Sequence, residues 1–197
     1  MPPAPRADAR RDLRREELLG ELVDLFLAEG FAAFSTAALA ERLRCSKSTL
    51  YLVASSKEQI VTTTVRAFFR RAAERIEARV AASSDPVERI RRYLDGVAAE
   101  LDPVTQAFYA DLQAFPPAAE VYRENTLIAA RRVEQLVADG VAAGVLRPAH
   151  TGFVGAAVTQ VMAAIQRGDV AQAAGLSDAE AYRELADLVL GGLGSRG

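Results

Sequence analysis

A chain of 197 residues, half of them hydrophobic and a quarter charged, has the make-up of an ordinary globular protein. At that length it can bury about 70% of the surface its unfolded chain exposes. The single cysteine, Cys45, excludes an internal disulfide and a zinc-finger ligand set, and the net charge of -2 argues against a protein that coats nucleic acid through bulk charge. The charge is unevenly spread. Residues 1–80 carry 14 Lys+Arg against 11 Asp+Glu, and residues 81–197 carry 10 against 15, so a mildly basic front precedes an acidic body, as suits a protein that turns one end towards phosphate. Met1 to Arg15 is polar and charged, which predicts no secretory signal, and no run of about 18 apolar residues predicts a membrane span. A reducing cytoplasm is the expected compartment. No stretch alternates like a half-buried strand, so the expected fold is all-α, with about nine helices.

The first helix is expected from about Asp12 to Glu29, where Leu18, Leu22, Leu25 and Phe26 recur at helical spacing and Gly30 supplies the stop. Ahead of it, Arg10, Arg11, Arg14 and Arg15 form a basic run, read either as a solvated tail (residues 1–11) or as an arm that reaches a DNA backbone or minor groove. Ser35 or Thr36 can cap a second helix running to about Leu43, with Leu39, Ala40 and Leu43 inward. After a turn at Arg44-Cys45, Ser46 can cap a short third helix, Lys47 to about Val53. A long fourth helix from Lys57 towards Ala82 places Ile60, Thr64, Phe68, Ala72 and Ile76 on one face. Asp85-Pro86 and Asp102-Pro103 read as aspartate-capped helix starts with proline in the first turn. Pro116-Pro117 opens another helix, to about Ala142. The last two span roughly Thr151–Arg167 and Asp178–Leu193, with Gly168–Ser177 expected as a loop.

Two short helices joined by a tight turn have the layout of a helix-turn-helix. Its second helix enters the major groove, so its outer face needs basic and hydrogen-bonding side chains and its inner face an apolar anchor. Lys47, Ser48 and Thr49 supply the first and Leu50 the second. The hydroxyls of Ser35, Thr36 and Ser46 sit at helix starts, where a phosphate is favoured, and Lys57 starts the next helix. The Tyr51 hydroxyl suits either a phosphate oxygen or a structural role.

Leu25-Phe26, Glu29-Gly30-Phe31, Ser35, Leu39-Ala40, the run Ser46 to Tyr51 and Ser56-Lys57-Glu58 together resemble the N-terminal domain of TetR-family transcriptional regulators, over about residues 12–65. The resemblance implies that residues 1–56, together with Lys57 at the start of the next helix, bind double-stranded operator DNA through Ser35, Thr36, Ser46, Lys47, Ser48, Thr49, Tyr51 and Lys57. It implies that residues 57–197 bind a small-molecule effector and dimerise. Two departures stand out. Arg44 occupies the place where the family usually has glycine, so either an arginine accepts the turn's backbone conformation or the second helix runs longer. Leu52-Val53-Ala54 replace a polar-aromatic-aromatic run.

Phe68, Phe108, Tyr109, Gln113, Tyr122, Gln160 and Met162 are candidates to line a cavity for a largely apolar effector, against the alternative that they are ordinary core. Val154, Val158, Val161, Ile165, Leu185, Leu188 and Val189 offer more apolar surface than one flank of a monomer needs. They are read as an isologous dimer interface, or else as internal packing. Cys45 is read as a small buried hydrophobe and His150 as a surface residue beside a helix start. No cofactor or metal is expected, and no paired carboxylates, nucleophile–base pair or phosphate-cradling glycine loop points to an enzyme. The expected function is a ligand-responsive repressor that binds a palindromic operator as a homodimer. The alternative is a helical ligand-binding or protein-interaction module with lost or weakened DNA binding.

Overall fold

Helical periodicity is the one regular pattern in the sequence, and the structure follows it. The computed structural model describes residues 5–194, which form ten α-helices: α1 (Pro5–Glu29), α2 (Thr36–Arg42), α3 (Lys47–Leu50), α4 (Lys57–Ala81), α5 (Pro86–Leu101), α6 (Gln106–Ala114), α7 (Pro116–Ala142), α8 (Thr151–Gln166), α9 (Asp169–Ala174) and α10 (Asp178–Leu193). Extended pairing among the described residues is limited to an isolated antiparallel bridge between Leu146 and Gly194. No helix among them is long and apolar enough to cross a membrane.

The chain divides into two compact units. The first comprises the residues through Arg70 together with Val104–Tyr122; the second comprises Arg71–Pro103 and the residues from Arg123 onward. The compact unit around the helix-turn-helix therefore takes in more chain than residues 1–56.

In the first unit the expected stripes are buried: Leu18, Leu22 and Phe26 on α1, Leu39, Ala40 and Leu43 at α2, and Ile60, Thr64 and Phe68 on α4. The one polar member, Thr64, donates its hydroxyl to Ile60 O at 2.8 Å, so its burial leaves no unsatisfied donor. A chain of aromatic rings crosses this unit. Phe31 meets Phe26, Phe108 and Phe115 at centroid distances of 5.6, 6.0 and 6.2 Å. Phe108 meets Phe68 at 6.3 Å, and Phe69 stacks on Tyr122 at 5.5 Å. Most of these pairs are tilted or edge-on, as the ring quadrupole favours.

Four expectations are corrected. First, α1 begins at Pro5, not near Asp12, so Arg10, Arg11, Arg14 and Arg15 lie within the helix and not ahead of it; residues 1–4 of the expected arm lie outside the described residues. Arginine, alanine and glutamate are good helix formers, proline is tolerated at a helix start, and Arg14 bonds Glu17 and Glu21 at 3.0 and 3.3 Å along one face. Second, α3 stops at Leu50; Leu52 N and Val53 N bond back to Thr49 O and Leu50 O at 3.0 Å, which tightens the last turn into 3₁₀ geometry. Third, Asp102 does not cap α6. It stays helical at the end of α5, its carboxylate engages Arg183 at 3.4 Å, and Thr105 caps α6 instead. Fourth, the expected loop after Gly168 contains α9, a short alanine-rich helix with Asp169 in its first turn and a left-handed glycine at either end.

In the second unit α5 packs along α10, burying Ile90, Tyr93 and Leu94 of one and Tyr182, Leu185, Ala186 and Val189 of the other. Burial holds the Tyr93 and Tyr182 phenols well above their ordinary range. The buried Glu100 carboxylate is met by one edge of the Arg75 guanidinium, Nε donating to one oxygen at 2.9 Å and Nη2 to the other. A second fork joins Arg132 to Glu77 at 2.8 Å through each of two nitrogens. Forked pairs of this kind hold geometry as well as charge.

Candidate nucleic-acid interface

The site begins where α1 ends. Glu29 is the last helical residue, and Gly30 turns the chain with φ +76°, a conformation that costs glycine nothing. The next two amides, Phe31 N and Ala32 N, both donate to Asp111 Oδ2 of α6, at 2.5 and 2.8 Å. A Cβ on Gly30 would lie 2.5 Å from that same oxygen, so glycine is needed here for space as well as for φ. From the other side Lys57 Nζ donates to Ala32 O at 3.0 Å. Thr105 ties α6 to the end of α1 a second time, its hydroxyl donating to Leu27 O at 2.8 Å. Around these bonds lies a cleft of about 310 Å³ lined by Phe31, Lys57, Val61, Asp111 and Phe115.

The clamped turn delivers Ser35 as the N-cap of α2, accepting from Ala38 N at 3.1 Å; Thr36 is the first helical residue and is half-buried. The helix ends in a Schellman motif. Arg44 N donates to Glu41 O at 3.0 Å and Cys45 N to Ala40 O at 2.9 Å, with Arg44 in the left-handed conformation at φ +49°. Of the two routes open to the sequence at this turn, the arginine accepts the backbone conformation and α2 does not lengthen. A side chain with a Cβ is strained there by about 1–2 kcal/mol, and glycine is the usual occupant. Cys45 is half-buried, and burial pushes its thiol up from the ordinary range, which disfavours a reactive thiolate.

Ser46 then caps α3. Its Oγ accepts from Thr49 N at 3.0 Å and lies 2.7 Å from both Ser48 Oγ and Thr49 Oγ1, so this hydroxyl is already engaged within the turn. Lys47 and Ser48 are exposed, Thr49 is half-buried, and Tyr51 is 45% exposed. Leu50 and Val53 are buried. Val53 therefore does fill a core position, although it stands where an aromatic is usual in the resembled family. Lys57, at the first turn of α4, is half-buried and uses one of its three ammonium donors on Ala32 O, leaving two. Thus Ser46, Lys47, Ser48, Thr49 and Tyr51 gather at α3, while Ser35, Thr36 and Lys57 stand at two neighbouring helix starts.

Residues 18–64 match the profile of bacterial regulatory proteins of the tetR family. Over that segment, about a quarter of the chain, the sequence is similar to the tetR-family N-terminal domain. The order of α1, α2 and α3, the Ser46 cap and the buried Leu50 described above are the parts of the fold that this match covers. The solved structures that it resembles extend the likeness of fold over nearly the whole chain. A TetR-family transcriptional regulator from Agrobacterium tumefaciens is 18% identical, with a TM-score of 0.68 over 94% of this chain and 100% of that one. A TetR transcription regulator from Haloarcula marismortui is 14% identical, with a TM-score of 0.74 over 93% and 100%. A protein of Saccharomonospora viridis described as a transcriptional regulator, solved in complex with choline, is 16% identical, with a TM-score of 0.74 over 94% and 100%. Among curated proteins none matches the sequence. Residues 18–64 thus carry a helix-turn-helix of the tetR-family type, and the chain as a whole shares the fold of these solved structures.

The remaining candidate residues fall in both units of the chain. Phe68, Phe108 and Tyr122 are buried and Tyr109 is half-buried, all within the ring chain of the first unit. Gln113, on α6, is exposed. Met162 is buried and Gln160 exposed on α8, in the second unit. Also in the second unit, Val154, Val158, Val161, Leu185, Leu188 and Val189 line one apolar groove of about 180 Å³ between α8 and α10, whereas Ile165 is buried away from it. Phe153 and Leu188 stand on that groove 71% and 69% exposed. His150 is an exposed N-cap of α8, its Nδ1 accepting from Phe153 N at 3.1 Å.

Sequence reasoning missed Asp111 and Phe153. Nothing near Asp111 in the chain marks it, because its partners are 79 and 80 positions away. Phe153 had a usable signal, an aromatic standing among the small residues Gly152, Val154 and Gly155. Replacing Asp111 by alanine removes a charged acceptor from two amides, and hydrogen bonds to charged groups are worth about 1.5–3 kcal/mol each. Asp111→Ala should lower stability by about 2–4 kcal/mol in urea denaturation, and Asp111→Asn, which keeps one acceptor oxygen, by less. Equal stability of all three proteins would show that water satisfies these amides as well as the carboxylate does.

Proposed function

We propose that this protein is a ligand-responsive repressor that binds a palindromic operator as a homodimer, residues 1–56 holding the DNA contacts and residues 57–197 serving effector binding and dimerisation. The observation that carries the reading is the split character of α3. Lys47 and Ser48 face solvent while Leu50 and Val53 anchor the same short segment in the core, which is what a groove-reading helix requires. Ser48 and Thr49 meet the groove, Lys47, Tyr51, Thr36 and the two spare donors of Lys57 meet phosphates, and Ser35 and Ser46 hold the helix starts that present them. Two such readers, one per subunit, lie about 34–36 Å apart in successive major grooves. Repression follows from occupancy, because bound protein blocks polymerase, and the cytoplasm is where such a protein works. The reading is of a binding protein, with no catalytic step.

The dimer reading is supported by the exposed Phe153 and Leu188 beside an apolar groove of α8 and α10, because large exposed apolar side chains that share one groove mark an interaction surface. The effector is a largely apolar small molecule, and Phe68, Phe108, Tyr109, Gln113, Tyr122, Gln160 and Met162 are the residues offered to it. It acts by binding one state of the dimer better than the other, at a coupling of about 1–3 kcal/mol. The choline bound by the Saccharomonospora viridis protein is a cation on a small apolar body, which aromatic rings such as Phe69 and Tyr122 are able to face. It is therefore the first effector to try.

Two measurements test this. In a mobility-shift assay with DNA flanking the protein's own coding region, the wild type should retard a fragment, and Lys47→Ala should bind more weakly with a flatter salt dependence. No retardation of any fragment at low salt by folded dimer would overturn the reading. In sedimentation velocity, Leu188→Asp should turn dimers into monomers without loss of helicity, since the side chain is exposed in the single chain. A dimer that survives this change would move the interface elsewhere.

A further inference from the structure

Arg44 is the one non-glycine residue with positive φ among the described residues. It occupies the C′ position of the Schellman turn between α2 and α3, where glycine would make the same backbone bonds without strain. That strain is borne by the turn's two backbone bonds. The Arg44 side chain is exposed, and no carboxylate engages it among the described residues. Its neighbours are treated differently: Arg42 is paired with Glu29, Arg14 with Glu17 and Glu21, and Lys57 spends one of its donors on Ala32 O. From α2 to α3, then, the cations with no carboxylate partner among the described residues are Arg44 and Lys47, on either side of the Ser46 cap.

A strained residue whose side chain does nothing in the free protein points to a state in which it does something. We propose that Arg44 is a DNA-contact residue that grips a backbone phosphate next to the groove entered by α3, its left-handed conformation holding the guanidinium on the DNA side of the turn. The guanidinium suits this because its planar fork can bond two phosphate oxygens at once. The proposal rests on α3 being the DNA reader. It adds a contact that neither the motif nor the family resemblance assigns, since the usual glycine at this place has no side chain to offer.

The test uses the full-length protein, the fragment retarded by the wild type, and the variants Arg44→Gly and Arg44→Lys. Arg44→Gly should raise Tm by about 2–4 °C through relief of the turn. It should also weaken DNA binding about tenfold and make the slope of log K against log salt shallower by about 0.9 for each bound subunit. Arg44→Lys should keep the slope while losing part of the affinity, because an ammonium cannot fork. Opposite signs for stability and affinity in one variant are the signature, since a merely structural arginine would lose both or neither. If Arg44→Gly binds as tightly as the wild type with the same slope, Arg44 is not a contact, and the DNA-reader assignment stands without it. If Arg44→Gly instead changes the preferred base in a selection of bound DNA, Arg44 reads a base edge, and the phosphate assignment is wrong. Failure of the wild type to retard any DNA would bring down the reader assignment itself, and this proposal with it.

Discussion

One carboxylate holds the helix-turn-helix in register. Where α1 ends at Glu29, the chain must reverse within a few residues and deliver Ser35 to the start of α2. That reversal leaves Phe31 N and Ala32 N without helical partners, and Asp111 of α6 accepts from both. Lys57 takes the carbonyl of Ala32, so the same residue is gripped through its N–H by an anion and through its C=O by a cation. Beneath this clamp, Phe31 sits among Phe26, Phe108 and Phe115. The turn is thus fixed by charge-assisted bonds on one side and by ring packing on the other. This explains why α6 belongs to the same compact unit as α1–α3 although residues 51–105 intervene.

With that turn fixed, the reader follows from local chemistry. Ser35 and Ser46 cap α2 and α3, the Schellman bonds of Arg44 and Cys45 close the turn between them, and Leu50 and Val53 pin the short helix from below. The outward face is left to Lys47, Ser48 and Tyr51. Strain in the segment is concentrated at Arg44. That strain falls at the turn beside α3 and at no other non-glycine position among the described residues, and the proposed phosphate contact of Arg44 would account for a side chain at this place.

How much of this was legible in the sequence depended on how local each determinant is. The apolar stripes of α1 and α4 and the serine caps are written within a few residues of where they act, and they appear as expected. Competing local signals were decided by distant partners. Asp102 and Thr105 are both good caps, but Arg183 engages the carboxylate of one, and Leu27 O accepts the hydroxyl of the other. The early start of α1 is written locally, in the proline at its first position and the helix-forming alanines and arginines of residues 6–11, and it brings the basic run inside the helix. Asp111 was invisible, because a carboxylate that satisfies two remote amides looks in sequence like any surface aspartate. The offered effector residues mix two kinds: rings that pack together in the first unit, and the glutamines Gln113 and Gln160, which are exposed. An apolar period marks burial but does not say which polar neighbours turn inward.

The groove between α8 and α10 gives the second half of the functional picture a physical basis, since Phe153 and Leu188 there expose ring and alkyl surface to water. A partner that presents the same groove would cover both copies at once, as an isologous interface does. Such a dimer makes a definite demand on DNA. Hydroxyl-radical footprinting of the bound operator reads that demand directly. The expected result is two protected patches related by a two-fold axis and about one helical turn, 10–10.5 base pairs, apart on one face of the duplex. A single protected patch, or protection without two-fold symmetry, would contradict the paired-reader arrangement.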